Sequence, residues 1–214
     1  MMKSKMKKIH MLCFLIIGSL LLTGCIKLFD RPAPVTVQFY SIDEMPEFSI
    51  PNESKVNLPL MIRNFAAASS VEDRIAERIS PNTLEYRHFE RWSSPPQEII
   101  TRAFVSGLDS TGIFKNVFPE GQFPSRIRSY TLSGEVVRFE WNRTGNAETA
   151  FIQIRLFMTG ADPESERWGG VIEAGEPVNN PGDSESFALS MERALRKALM
   201  DSATMIDGWL VTTN

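Results

Sequence analysis

The sequence predicts an α+β fold, a mostly antiparallel sheet with two main helices packed on one face, preceded by a cleaved lipoprotein signal peptide. Three observations carry that prediction. Segments such as Tyr130–Asn142, Ala147–Thr159 and Arg167–Glu176 place apolar residues among polar ones in the short-period manner of strands. Two others, beginning near Ser93 and Ser184, repeat apolar residues at spacings of three and four, as amphipathic helices do. The chain also opens on a basic stretch and an apolar run that closes with Leu22-Thr23-Gly24-Cys25.

The leader carries Lys3, Lys5, Lys7 and Lys8 and no acid. Its apolar run, from Ile9 to Leu22, is shorter than the roughly 20 residues a bilayer span takes. Leu22, Thr23, Gly24 and Cys25 resemble the bacterial lipobox, in which the thiol receives diacylglycerol and the signal is cut just before it. The resemblance implies residues 1–24 as signal, Cys25 as lipid attachment site and an amide-linked acyl chain such as palmitate on the new N-terminus. One acyl chain holds a protein only marginally, whereas a diacylglycerol with a further chain holds it firmly. By the same resemblance, to lipoproteins of enteric-type bacteria, an aspartate after the cysteine would imply inner-membrane retention, so Ile26 implies the outer membrane. Residues 25–34 are then a lipidated tether with Pro32 and Pro34, and residues 35–214 form the domain. The steps from Cys25 to Val35 reach at most about 33–36 Å, enough to rest on a membrane and too little to cross a periplasm.

Processing changes the bulk numbers. Removing four lysines and no acid from 23 basic and 26 acidic side chains leaves 19 against 26, a net charge near −7. Such a chain is a poor nucleic-acid binder, because phosphates need clustered Lys and Arg. Cys13 leaves with the signal and Cys25 is consumed by lipid, so stability rests on burial rather than disulfides.

Within the domain, Val35–Ile42 reads as a first strand, followed by a loop holding Pro46, Pro51 and Asn52. Val56, Leu58, Leu60 and Ile62 share one face of a second strand, and Pro59 confines it to an edge or a bulge. Arg74–Ile79 and Thr83–Arg91 pair around Ser80-Pro81-Asn82, with Leu84, Tyr86 and Phe89 as contacts. Ser93 and Ser94 offer a hydroxyl cap ahead of Pro95-Pro96 in a first helical turn. Ile99, Ile100, Ala103, Phe104 and Leu108 are its buried stripe, and Gly112 its stop. Arg143-Thr144-Gly145-Asn146 joins the next two strands, and a third follows Ala161-Asp162-Pro163. The closing helix, Ser184 to about Leu210, turns Phe187, Met191, Leu195, Ala198, Leu199, Met205 or Ile206, and Trp209 inward.

Little of this supports catalysis. The processed chain has one histidine, His88, and no Gly-x-Ser-x-Gly elbow, which leaves a Ser-His-Asp triad without its usual setting. A zinc site lacks ligands, no cofactor or metal is implied, and no phosphate-cradling loop is present. Acid pairs such as Asp43-Glu44, Glu164 with Glu166, and Glu173 with Glu176 read as a solvated surface. Asp162, Glu164 and Glu166 lack the glycine and closing glutamate of a calcium loop. Arg126 and Arg128 suit a partner's acids or a strand's solvent face equally, while Phe114, Val117, Phe118 and Phe123 form an apolar patch.

One stretch is more specific. Leu84 to Pro96 (LEYRHFERWSSPP) is followed by a helix, by Ser110-Thr111-Gly112-Ile113-Phe114-Lys115-Asn116-Val117, and by Tyr130-Thr131-Leu132-Ser133-Gly134. In that order they resemble the ABC-type transport auxiliary lipoprotein family from Val35 to about Leu210. The N-terminal strand departs from the pattern, with Phe39-Tyr40-Ser41-Ile42 where the family has Tyr-x-Leu. The resemblance implies a non-enzymatic accessory subunit of an envelope lipid transporter, with an MCE-domain (mammalian cell entry) protein as partner. The ABC permease and ATPase would be engaged through it. Trp92, Phe118, Phe123, Arg126 and Arg128 are then candidate partner contacts, and a homo-oligomer stays open. A structural lipoprotein of another outer-membrane or cell-wall machine is the alternative reading.

Overall fold

A computed structural model of the chain describes residues 34–42, 48, 54–124, 127–162 and 167–213. The expected signal, Cys25 and all but the last residue of the tether lie outside them, as do Asp43, Glu44, Arg126, Glu164 and Glu166. Val37–Asn214 is one compact unit, and of the unit before it, Met1–Thr36, the described residues are exposed.

The elements run β1 (Gln38–Tyr40), β2 (Leu60–Ile62), β3 (Ala66–Ala67), β4 (Arg74–Ser80), β5 (Thr83–Trp92), α1 (Pro96–Thr111), β6 (Val117–Pro119), β7 (Tyr130–Asn142), β8 (Thr149–Thr159), β9 (Arg167–Pro177) and α2 (Ser184–Thr213). A single 3-10 turn, Glu120–Gln122, follows β6. The sheet is mixed, which corrects the expectation of a mostly antiparallel one. β7 is its axis. Along one edge β7 pairs antiparallel with β8, which pairs in turn with β9. Along its other edge β2, β3 and β4 lie in succession, all parallel to it, with Leu60 opposite Tyr130, Ala66 opposite Glu135 and Glu77 opposite Trp141. β6 adds parallel to β2, and β1 parallel to β5. Parallel neighbours need a crossover, and the β4–β5 hairpin together with α1 supplies the one between β2 and β6.

Pro59 acts differently from the expectation. The strand is shortened to begin after it, sits between β6 and β7 rather than at an edge, and Pro59 still contributes its carbonyl, which accepts from the Tyr130 N–H at 3.0 Å. Proline costs the ladder a donor and no acceptor, so a central strand can begin immediately after one. A register shift between Val136 and Arg138 marks a bulge in β7.

α2 packs over β8 and β9, α1 over β2, β3, β6 and β7, and the two helices touch. The alternation in β8 explains which face they cover: Ala150, Ile152, Ile154, Leu156 and Met158 are buried, while Arg155 and Phe157 are exposed. α1 starts at Pro96 with Pro95 in the cap position and no side-chain cap hydrogen bond, so neither Ser93 nor Ser94 caps it. Gly112 stops it at φ +69°, a left-handed conformation that glycine adopts without a Cβ penalty. Asp183 caps α2 through Oδ2, which accepts the Ser186 N–H at 2.8 Å. On α2, Ile206 rather than Met205 is the buried residue, and Trp209 is half-buried. Among the described residues, no helix is long and apolar enough to cross a membrane.

Candidate functional site

The strand-to-helix joint after β5 is a core feature. Trp92 is 2% exposed, edge-on to Phe139 at 5.0 Å and near Phe187 at 5.8 Å. It cannot serve as a partner contact, because the rings of β7 and α2 enclose it. Tyr86 lies apart from it: its hydroxyl donates to the Ser70 carbonyl at 2.9 Å, and the Arg74 guanidinium sits 4.6 Å from its ring centroid.

Beneath the start of α2 lies a polar network that sequence reasoning missed. Arg87 donates to Glu77, to Glu90 at 2.8 Å and to the Ser184 hydroxyl at 2.8 Å; Ser184 donates in turn to Glu90 at 2.6 Å. Arg143 donates to Glu77 at 3.3 Å and to Glu148 at 3.0 Å, and the other oxygen of Glu148 accepts the Gly182 N–H. Arg87 and Arg143 also lie 4.8 and 5.3 Å from the Trp141 ring centroid, and Trp141 stacks on Phe187 at 4.8 Å. The network ties β4, β5 and the β7–β8 turn to the loop leading into α2. Its carboxylates are occupied by guanidinium groups, which fits a fastening rather than proton transfer. Its sequence signal was the recurrence of Arg and Glu inside strand-like segments, which reads equally as a solvent face.

A second cluster stands on the opposite side of the sheet. Glu140 accepts from Arg78 Nε and Nη2 at 2.6 and 2.7 Å and from Arg138 Nε at 2.9 Å, and only 3% of its side chain is exposed. Burial pushes its carboxyl up, yet the hydrogen bonds from Arg78 and Arg138 outweigh that and hold it below the usual carboxylate range. Beside it Arg138 covers the Phe151 ring at 4.2 Å, Arg155 pairs with Glu135, and Gln153 donates to Glu173.

The remaining candidates scatter. Phe118 and Phe123 are half-buried and meet edge to face at 6.0 Å around the turn after β6, while Phe114 and Val117 are core. Arg128 is exposed and bonds to Asp162 across the loops flanking β7 and β8. A groove of about 320 Å³ opens beside α1, lined by Asn64, Thr101, Arg102, Val105, Ser106 and Pro119. His88 is exposed, with its ring beside Phe89 at 6.1 Å. No group of three or more His, Cys, Asp or Glu side chains able to hold a metal exists among the described residues.

These features define an α+β domain whose charged residues fasten elements together and whose candidate contact side chains lie apart from one another. The chain belongs to the ABC-type transport auxiliary lipoprotein component family, whose model matches residues 55–199. Its structure superimposes on that of a Xanthomonas campestris protein of the DUF330 family with a TM-score of 0.71 at 20% identity, over 83% of this chain and 100% of that one. A second solved structure, of an uncharacterized protein, gives a TM-score of 0.60 at 13% identity, over 79% of this chain and 99% of that one. At these identities the likeness is one of fold. No curated protein matches the chain.

Proposed function

We propose that this chain is a non-enzymatic, lipid-anchored subunit that holds an ABC/MCE-type intermembrane lipid transport system at the periplasmic face of the outer membrane. The family match over residues 55–199 carries the reading, since it names a transport auxiliary lipoprotein component. The leader supports it independently: Leu22-Thr23-Gly24-Cys25 resembles a lipobox, in which the Cys25 thiol takes diacylglycerol and the amine freed by cleavage takes an acyl chain, and Ile26 favours the outer membrane. In this reading the domain from residue 35 onward works by contact, with an MCE-domain protein as direct partner and the permease and ATPase beyond it.

Affinity purification of the mature lipoprotein from mild-detergent membranes tests it. An MCE-domain protein should co-purify, together with permease and ATPase. Recovery of unrelated envelope proteins alone would overturn the transport reading in favour of an assembly lipoprotein. Cys25→Ser should release the chain from the membrane fraction, and intact mass should show the acyl groups on the native protein only.

A further inference from the structure

We propose that Val37, Phe39 and Phe89 form the surface on which the domain rests against the phospholipid leaflet, a proposal that rests on the lipid anchor at Cys25. Phe39 is 64% exposed, Phe89 51% and Val37 38%. They lie side by side. β1 runs parallel to β5 with Gln38 opposite Glu90 and Phe39 opposite Arg91, so one step back Val37 falls opposite Phe89. Residues two apart on a strand share a face, which gathers the three apolar side chains on one side. The other side of the same pair holds Trp92 in the core and Glu90 in the network under α2.

The occupant follows from where the chain goes next. Upstream of Val37 the tether runs to Cys25, and its steps span at most about 40–43 Å when fully extended. The patch is the first part of the compact unit beyond the tether, so the acylated residue keeps it within reach of the leaflet at all times. The charges beside the patch are paired. Arg91 pairs with Asp73 at 2.8 Å and Arg74 with Glu72 at 2.6 Å, so the nearby charges meet the headgroups as neutralised pairs. A firm lipid anchor needs no second attachment to stay bound, so the patch governs how the domain lies rather than whether it binds.

The experiment uses the full lipoprotein, acylated in a bacterial host and reconstituted into phosphatidylethanolamine–phosphatidylglycerol vesicles. Once Cys25 is acylated the chain has no other thiol, so Phe39→Cys and Phe89→Cys each accept one environment-sensitive fluorophore. Phe157→Cys, on the open face of β8, is the control. Labels at 39 and 89 should shift to the blue and be quenched several-fold more by lipids carrying a shallow quencher than the label at 157. Vesicle-bound protein whose labels at 39 and 89 stay in water overturns the patch alone. A blue-shifted label that lipid quenchers do not reach means another protein surface covers it, which also overturns the proposal. Protein that fails to float with vesicles overturns the anchor and the patch with it.

Discussion

The two faces of the β7–β8–β9 meander use the same three strands for opposite chemistry. Toward the helices stand Leu132, Phe139, Trp141, Ile152, Ile154, Leu156 and Ile172, all buried. Away from them, Glu135 pairs with Arg155, Gln153 bonds Glu173, and Phe157 and Val171 are 49% and 52% exposed. The covered face determines the fold through burial and packing. The open face holds itself together with charge pairs that surface solvation largely cancels, and so tolerates change. Glu140 is the exception, a buried carboxylate on the open side, and it marks where that face carries stability.

The sharpest test of the covered face is Trp141→Ala. Trp141 is fully buried and stacked 3° from coplanar on Phe187, so the truncation should cost about 3–5 kcal/mol. Denaturant melts should show a lowered midpoint with the slope unchanged. A loss under about 1 kcal/mol would mean the helix-covered face is far looser than its packing implies. Trp141→Phe should cost less, because among the described residues the buried indole N–H has no hydrogen-bond partner, so its removal strands nothing.

Glu140→Gln addresses the open face. Replacing the carboxylate leaves Arg78 and Arg138 without their charged acceptor, at a cost of about 2–3 kcal/mol. The pH dependence gives a second readout. The folded carboxyl titrates below its unfolded value, so its contribution is complete above the ordinary carboxylate range, about pH 4.3. It is lost as pH falls through the depressed folded value. Stability of the native chain should therefore decline over that acid window more steeply than that of the E140Q variant. Equal slopes would remove Glu140 as the special residue of this face.

Much of this contrast was legible in the sequence, and the part that was not has a physical reason. Strands β7, β8 and β9 are long, their partners are sequence neighbours, and alternation over ten or so residues announces both pairing and buried face. α1 and α2 announced themselves by apolar residues three and four apart, down to the Ile99, Ile100, Phe104 and Leu108 stripe. The parallel edge of β7 was illegible. β2 and β3 are three and two residues long, too short for any period, and the partners of β2, β3 and β4 on β7 lie 60 to 70 residues away. The networks around Glu77 and Glu140 were hidden for a related reason: an arginine on a strand looks the same whether it meets water or a buried carboxylate. Trp92 read as a candidate contact because its burial is decided by Phe139 and Phe187, both distant in the chain.

Gly134→Ala tests how tightly the covered face of β7 is packed around Phe65. A Cβ at Gly134 would collide with the Phe65 ring and approach the Arg155 carbonyl to 2.9 Å. The ring can yield only by disturbing its tilted contact with Phe104 at 5.0 Å, and the backbone oxygen cannot yield without bending β8. Overpacking of this kind costs about 1–3 kcal/mol. A neutral G134A would show that Phe65 has room to move, and that this end of the covered face is less committed than the Trp141 end.

The smallest effect should come from Phe157→Ser. Phe157 sits opposite Gly169 on β9, and its ring lies 3.7 Å from where a glycine Cβ would be, so it lends that glycine some cover. Against this, nearly half of the side chain already faces water, and the hydroxyl of serine meets no desolvation penalty there. The change should stay within about 0.5 kcal/mol by thermal or chemical melts. A loss as large as that of Trp141→Ala would erase the distinction between the faces, since it would require the open side to be buried by something the isolated domain does not contain.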